Sequence, residues 1–136
     1  MSYGVAAALQ AAVYQQLFTD PVLGGLVGSA IYDALPTGTL PPLYVALGPE
    51  LVRDKSDKTG AGAEHEFTVT VVTDVAGFAA AKKTAAAVSD ALVDAPLVLT
   101  RGALVSLYFY RAAAARVGTN DKRQINLVFR ARVQDD

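Results

Sequence analysis

The sequence has no cysteine and no tryptophan, and it has one methionine and one histidine among 136 residues. Without cysteine there are no disulfides and no thiolate metal sites, and the redox compartment leaves no mark. No apolar run approaches the ~18 residues that span a bilayer. The start, MSYGVAAALQ, has no basic segment, so no secretory signal is expected. These absences predict a chain that stays in the cytoplasm, with no membrane partner. The net charge of −1 argues against a dedicated nucleic-acid binder.

Catalytic constellations are missing too. His65 stands between Glu64 and Glu66, but adjacent strand residues face opposite ways. Its same-face neighbours are Ala63 and Phe67, so it reads as a histidine packed at the start of a strand beside a loop. The acidic residues are scattered, and Asp54 and Asp57 lack the oxygen spacing of a calcium loop. Thr59–Ala63, TGAGA, has no GK[ST] and precedes a strand, so it is not a phosphate loop. No serine or threonine sits in a nucleophile elbow. Residue chemistry therefore argues against an enzyme, implies no cofactor, and leaves a binding or assembly module.

Positive charge is lacking from the first part of the chain. Residues 1–52 hold Asp20, Asp33 and Glu50 and no Lys or Arg, whereas residues 101–136 hold seven basic residues against three acidic ones. Separated charge suits head-to-tail association of identical subunits. At 52% hydrophobic residues and a mean hydropathy of +0.30, the chain has apolar surface to spare for interfaces.

What is present is periodicity. Phe67, Val69 and Val71 alternate with Glu66, Thr68 and Thr70, the period of a half-buried strand. From Asp74 the period becomes helical: Phe78, Ala81, Ala85, Val88 and Leu92 form a stripe, with Asp74 as N-cap. Upstream, a helix is expected from Tyr3 to Phe18, capped by Ser2, then a helical turn at Val22–Leu26. Strands are expected at Ala30–Leu35, Leu43–Leu47 and from Leu51, the latter two parted by Gly48-Pro49. Ser56–Glu64 reads as a mobile polar hairpin loop. Downstream, strands are expected at Leu97–Thr100, at Leu104–Arg111 extended through Ala115, and at Ile125–Val133, with a turn at Gly118–Asp121.

The expected order is α-β-β-β-β-α-β-β-β. It describes one α+β domain over 1–136, a mainly antiparallel sheet with two helices packed on one face. Phe67, Val69, Val71, Leu127, Phe129 and Ala131 should face the helices, and Thr68, Thr70, Arg130 and Arg132 should face away. Tyr108 and Tyr110 alternate out of phase with Arg111 and are expected on the face opposite to it. The basic group Arg111, Arg116, Lys122, Arg123, Arg130 and Arg132 reads as a solvated or intersubunit face.

Several segments, in this order, resemble the phage tail completion family, and in particular its version in gene transfer agents. They are Leu9–Val27 with Asp20 and Leu23, Ile31-Tyr32-Asp33, Pro42–Gly48, His65–Val69, Gly77, Ala81-Lys82 and Phe129–Val133. Members of that family often carry a tryptophan near Val72, which this chain lacks. The resemblance implies a tail terminator: a hexameric ring on the last ring of the tail tube, which stops its polymerisation and joins it to the head-side connector. DNA would pass through the central channel without sequence-specific binding. The protein would end in the virion, at the head-proximal end of the tail. A head-completion or stopper protein of such a particle, and an unrelated cytoplasmic oligomeric domain, are the alternatives. Contacts to the tube or a neighbouring subunit are expected from Arg53, Asp54, Lys55, Ser56, Asp57, Lys58 and Thr59, and from Arg130 and Arg132.

Overall fold

Two long alternating segments form the centre of the sheet because each has an apolar side that needs cover. In a computed structural model, which describes residues 3–58, 60–118 and 122–135, these are β3 (Ala61–Thr73) and β5 (Lys122–Asp135), paired antiparallel along thirteen positions. β2 (Leu43–Asp54) adds to the other side of β3, and β4 (Ala103–Val117) to the other side of β5, both antiparallel. β1 (Ile31–Tyr32) pairs parallel with β2 and completes the order β1-β2-β3-β5-β4.

Three helices cover one face. They are α1 (Ala6–Thr19), α2 (Pro21–Val27) and α3 (Ala79–Leu92). The expected layer of Phe67, Val69, Val71, Leu127, Phe129 and Ala131 is buried against them. α3 can lie close to the sheet because its inward stripe is small: Ala81, Thr84, Ala85, Val88 and Ala91 are all buried. Val88 and Leu92, which are fully buried, contribute about 1.5–3 kcal/mol each. At the end of α3, the Gln16 side chain donates to the Ala91 carbonyl at 2.9 Å and satisfies one of the carbonyls a helix end leaves open.

The element order is therefore α-α-β-β-β-α-β-β, and the differences from expectation have local causes. The two strands around Gly48-Pro49 are one strand carrying a bulge between Leu47 and Glu50, since proline interrupts the ladder without ending it. The strand expected from Ala30 to Leu35 shrinks to two residues. Leu97–Thr100 is not a strand; Leu97 and Leu99 pack on the core from an extended connection. α1 starts at Ala6 without a side-chain cap, and Ser2 lies outside the described residues. Asp74 does not cap α3: five residues, including Gly77 at φ 81°, separate strand from helix, and Phe78 holds the cap position. Asp20 is the side chain that does cap, accepting from the Leu23 N–H at 2.9 Å and starting α2. Of the turn expected at Gly118–Asp121, residues 119–121 lie outside the described residues.

The second face is open except at one corner. There the 33–42 connection folds under the sheet, and Ala30, Tyr44 and Val72 form a small cluster with Tyr32 and Leu40. The rings of Tyr32 and Tyr44 lie 6.0 Å apart. This is where the resemblance places a tryptophan, and two tyrosines supply the aromatic mass instead. Burial, then the nearby Tyr32, push the Tyr44 hydroxyl above its usual pKa.

Candidate assembly surfaces

The open face carries the residues that sequence reading singled out. The register sets Arg53 opposite Glu64 and Glu64 opposite Arg132, one row across β2, β3 and β5. The next row on the same face is Leu51, Glu66, Arg130 and Tyr108. Arg53, Arg130 and Arg132 thus share one patch, with glutamates set between them. Arg130 Nε donates to Glu66 Oε1 at 3.1 Å and lies 4.0 Å from Glu64 Oε1. Its guanidinium also stacks 3.6 Å from the Tyr110 ring centroid.

That stacking corrects the expected placement of the tyrosines. β4 carries bulges between Leu104 and Ser106 and between Phe109 and Arg111. Each bulge inserts a residue and reverses which residues face which side. Ser106, Tyr108 and Arg111 consequently stand opposite Arg132, Arg130 and Val128, all on the open face. Arg123 departs from the basic group as well. It is buried on the helix side, with its guanidinium over the Phe78 ring at 5.4 Å.

Beside these rows the open face holds a neutral stretch. Thr68, Thr70, Gln124, Asn126 and Val128 line a shallow hollow with Arg111 and Pro49 at its margin. Thr70 Oγ1 and Gln124 Nε2 both donate to Asn126 Oδ1 at 2.9 Å.

The hairpin between β2 and β3 is shorter and better tied than a mobile loop. Pairing continues past the strand ends, with Lys55 N–H on the Gly62 carbonyl at 2.9 Å and Asp57 N–H on the Gly60 carbonyl at 3.0 Å. Asp54 Oδ1 accepts from the Ser56 hydroxyl at 2.6 Å and from its N–H at 3.1 Å. These two bonds, the hydroxyl first, hold the Asp54 carboxyl below its ordinary pKa. The Gly62 N–H closes the base on Ser56 Oγ at 3.2 Å. Lys55–Lys58 therefore project from the patch on a built turn; Thr59 lies outside the described residues.

His65 is not beside a loop but fully buried, with Nδ1 2.9 Å from Glu50 Oε2. The Tyr3 ring stacks against it, centroids 6.5 Å apart. The bulge at Leu47–Glu50 turns Glu50 to the helix side, and nothing in the local spacing signals a partner fifteen residues away. A cavity of about 30 Å³, room for one water, adjoins Glu50 between Leu9, Val13 and Phe67. Among the described residues no cluster of three or more His, Cys, Asp or Glu side chains could hold a metal. Nor is any helix long and apolar enough to cross a membrane.

The last surface is the outer edge of β4. It is exposed along most of its fifteen residues, including Val105, Tyr108, Phe109 and Tyr110. Asp94, in the left-handed region at φ 56°, donates its N–H to the Leu107 carbonyl at 3.0 Å and closes one rung of this edge. Among the described residues, no other backbone bond reaches β4 from outside the sheet.

Charged rows on an open sheet face and a long accessible strand are the surfaces that this fold leaves uncovered. The chain belongs to the tail completion protein gp17 family, whose model matches residues 11–134. It is 66% identical to a chain in a solved structure described as "Virion of native gene transfer agent (GTA) particle". That match covers 98% of this chain and 99% of the other, with a TM-score of 0.94. No curated protein matches. The role this assigns is structural, in tail completion.

Proposed function

We propose that the protein is a tail terminator of a phage-like particle. It caps the tail tube as a ring, hexameric by the family resemblance, halts tube polymerisation and joins the tube to the head-side connector. DNA passes through the central channel. The observation that carries this reading is the end-to-end match to a chain of a gene transfer agent particle, within a tail completion family. The Arg53, Arg130 and Arg132 patch and the Asp54–Thr59 hairpin supply the contact to the tube or the neighbouring subunit. The interleaved Glu64 and Glu66 keep that patch from being a bare cationic surface, which suits a contact with protein better than one with DNA.

The test is negative-stain imaging of particles made without the protein. Overlong tails, or tails that fail to join heads, are expected. Tails of normal length on leaking heads would assign a stopper role instead. Deleting residues 57–60, which lie outside both strands, should leave a folded subunit that no longer caps tubes; normal capping by that variant would remove the hairpin from the contact.

A further inference from the structure

Both edges of the sheet are incomplete, in complementary ways. At one edge β1 covers β2 only at Val45 and Ala46, which leaves Leu47–Asp54 open along its outer side. At the other, among the described residues, no backbone bond from outside the sheet reaches β4 beyond the rung that Asp94 closes at Leu107. A long open edge is a hazard unless a partner covers it.

We infer that the two edges cover each other: β4 of one copy, from Tyr108 to Val117, pairs with the Leu47–Asp54 edge of the next copy. This rests on the ring reading above and says how the ring is joined. The topology supplies the direction. β4 runs parallel to β3 and antiparallel to β2, because each neighbouring pair from β2 through β5 to β4 is antiparallel. Copies related by rotation about an axis along the strands therefore bring β4 against β2 in antiparallel register. The sheet continues from subunit to subunit, a heterologous contact that closes as a ring.

Charge selects the same partner. Beyond Leu107, β4 carries Arg111 and Arg116 and no acid, whereas the opposite edge carries Asp33 and Asp54, with Arg53 as the first cation of the chain. Pairing β4 with a second β4 would bring two positive stretches with no acid together, which is unfavourable. Apolar surface matches as well. α3 does not reach over Phe109, Ala112 and Ala114, which line a groove with Ala86. Phe18 and Val22 of the helices over the β1–β2 edge are 44% and 64% exposed. The two open stretches lie towards opposite ends of the strands, so pairing staggers neighbouring copies, as closed sheets require.

The test places the photoreactive residue benzoylphenylalanine at Ala113, and separately at Phe109, in cells that make the particle. Purified particles are irradiated and the linked peptides identified by mass spectrometry. Within one subunit the β2 and β4 stretches are about 14 Å apart, three strand spacings, so a link between them reports a neighbour. A dimer-sized product joining these positions to residues 47–54 of the same protein is expected. Links to residues 103–117, to another region or to another virion protein would overturn the inference, as would no link in particles that contain the variant. Those outcomes leave the ring itself standing. Particles that lack even the wild-type protein would overturn the terminator reading instead.

Discussion

Phe129 is the ring on which the core turns, and its removal has a calculable effect. Its side chain is fully buried; it stacks on Phe67 at 5.6 Å and meets the edge of Phe109 at 6.0 Å and 74°. Truncating a buried phenylalanine costs about 3–5 kcal/mol, and two ring contacts place Phe129→Ala in the upper half of that range. Unfolding entropy for 136 residues is about 290 cal/mol/K, so a 4–5 kcal/mol loss lowers Tm by about 14–17 °C. Phe109 has one described ring partner and is 42% exposed, so Phe109→Ala should cost about 1–2 kcal/mol, or roughly 3–7 °C. The two changes should couple by about 0.5–1.5 kcal/mol in a double-mutant cycle. The chain has no tryptophan, so urea unfolding is best followed by far-ultraviolet circular dichroism. Equal losses for Phe109→Ala and Phe129→Ala, or zero coupling, would refute the ring geometry. A folded Phe109→Ala subunit that assembles poorly would show that this ring serves the edge more than the core.

Glu50→Ala strands the buried His65 Nδ1 and should lower unfolding free energy by about 1–3 kcal/mol, whereas Glu66→Ala, on the open face, should stay within about 1 kcal/mol in the same urea titration. The Asp54 carboxyl is held below its ordinary value of 3.8, so its contribution to the hairpin is present above that pH and lost as pH falls through the lower, folded-state value. The Ser56 amide shift, followed by NMR, should titrate with a midpoint under 3.8 and move up in Ser56→Ala; a wild-type midpoint at or above 3.8 would count against the turn. Gly102 sits at φ 73°, where an added Cβ would meet the Gln134 carbonyl oxygen and, at 2.8 Å, Val5 Cγ2. Gly102→Ala should therefore destabilise by about 1–3 kcal/mol, and an unchanged Tm would mean that the turn can open.

Sequence reading found what alternation alone encodes. β3 and β5 keep one parity from end to end, and so their inward and outward residues were legible. The errors fall where parity changes. Beyond the bulge of β2, Leu51 and Arg53 turn to the open face and Glu50 turns inward to His65. The two bulges of β4 bring Tyr108 and Arg111 to the same side. A bulge is a property of two strands together, and one strand's pattern does not contain it. α3 shows the complementary limit: its face was evident, but its first turn is set by the loop through Gly77 rather than by a capping side chain.

The rung that Asp94 closes has a consequence for counting. A strand arriving at an unobstructed edge could settle at many offsets, each with its own pitch, and a stack of such contacts winds into a filament. The Asp94–Leu107 bond acts as an end stop. On the edge pairing inferred above, an incoming strand would advance only as far as Leu107, which narrows the offsets open to successive copies. A single offset means a single angle per step, and only a fixed angle lets a finite number of copies return to the first. In that pairing, a backbone bond one position from the charged rows limits how successive copies can meet.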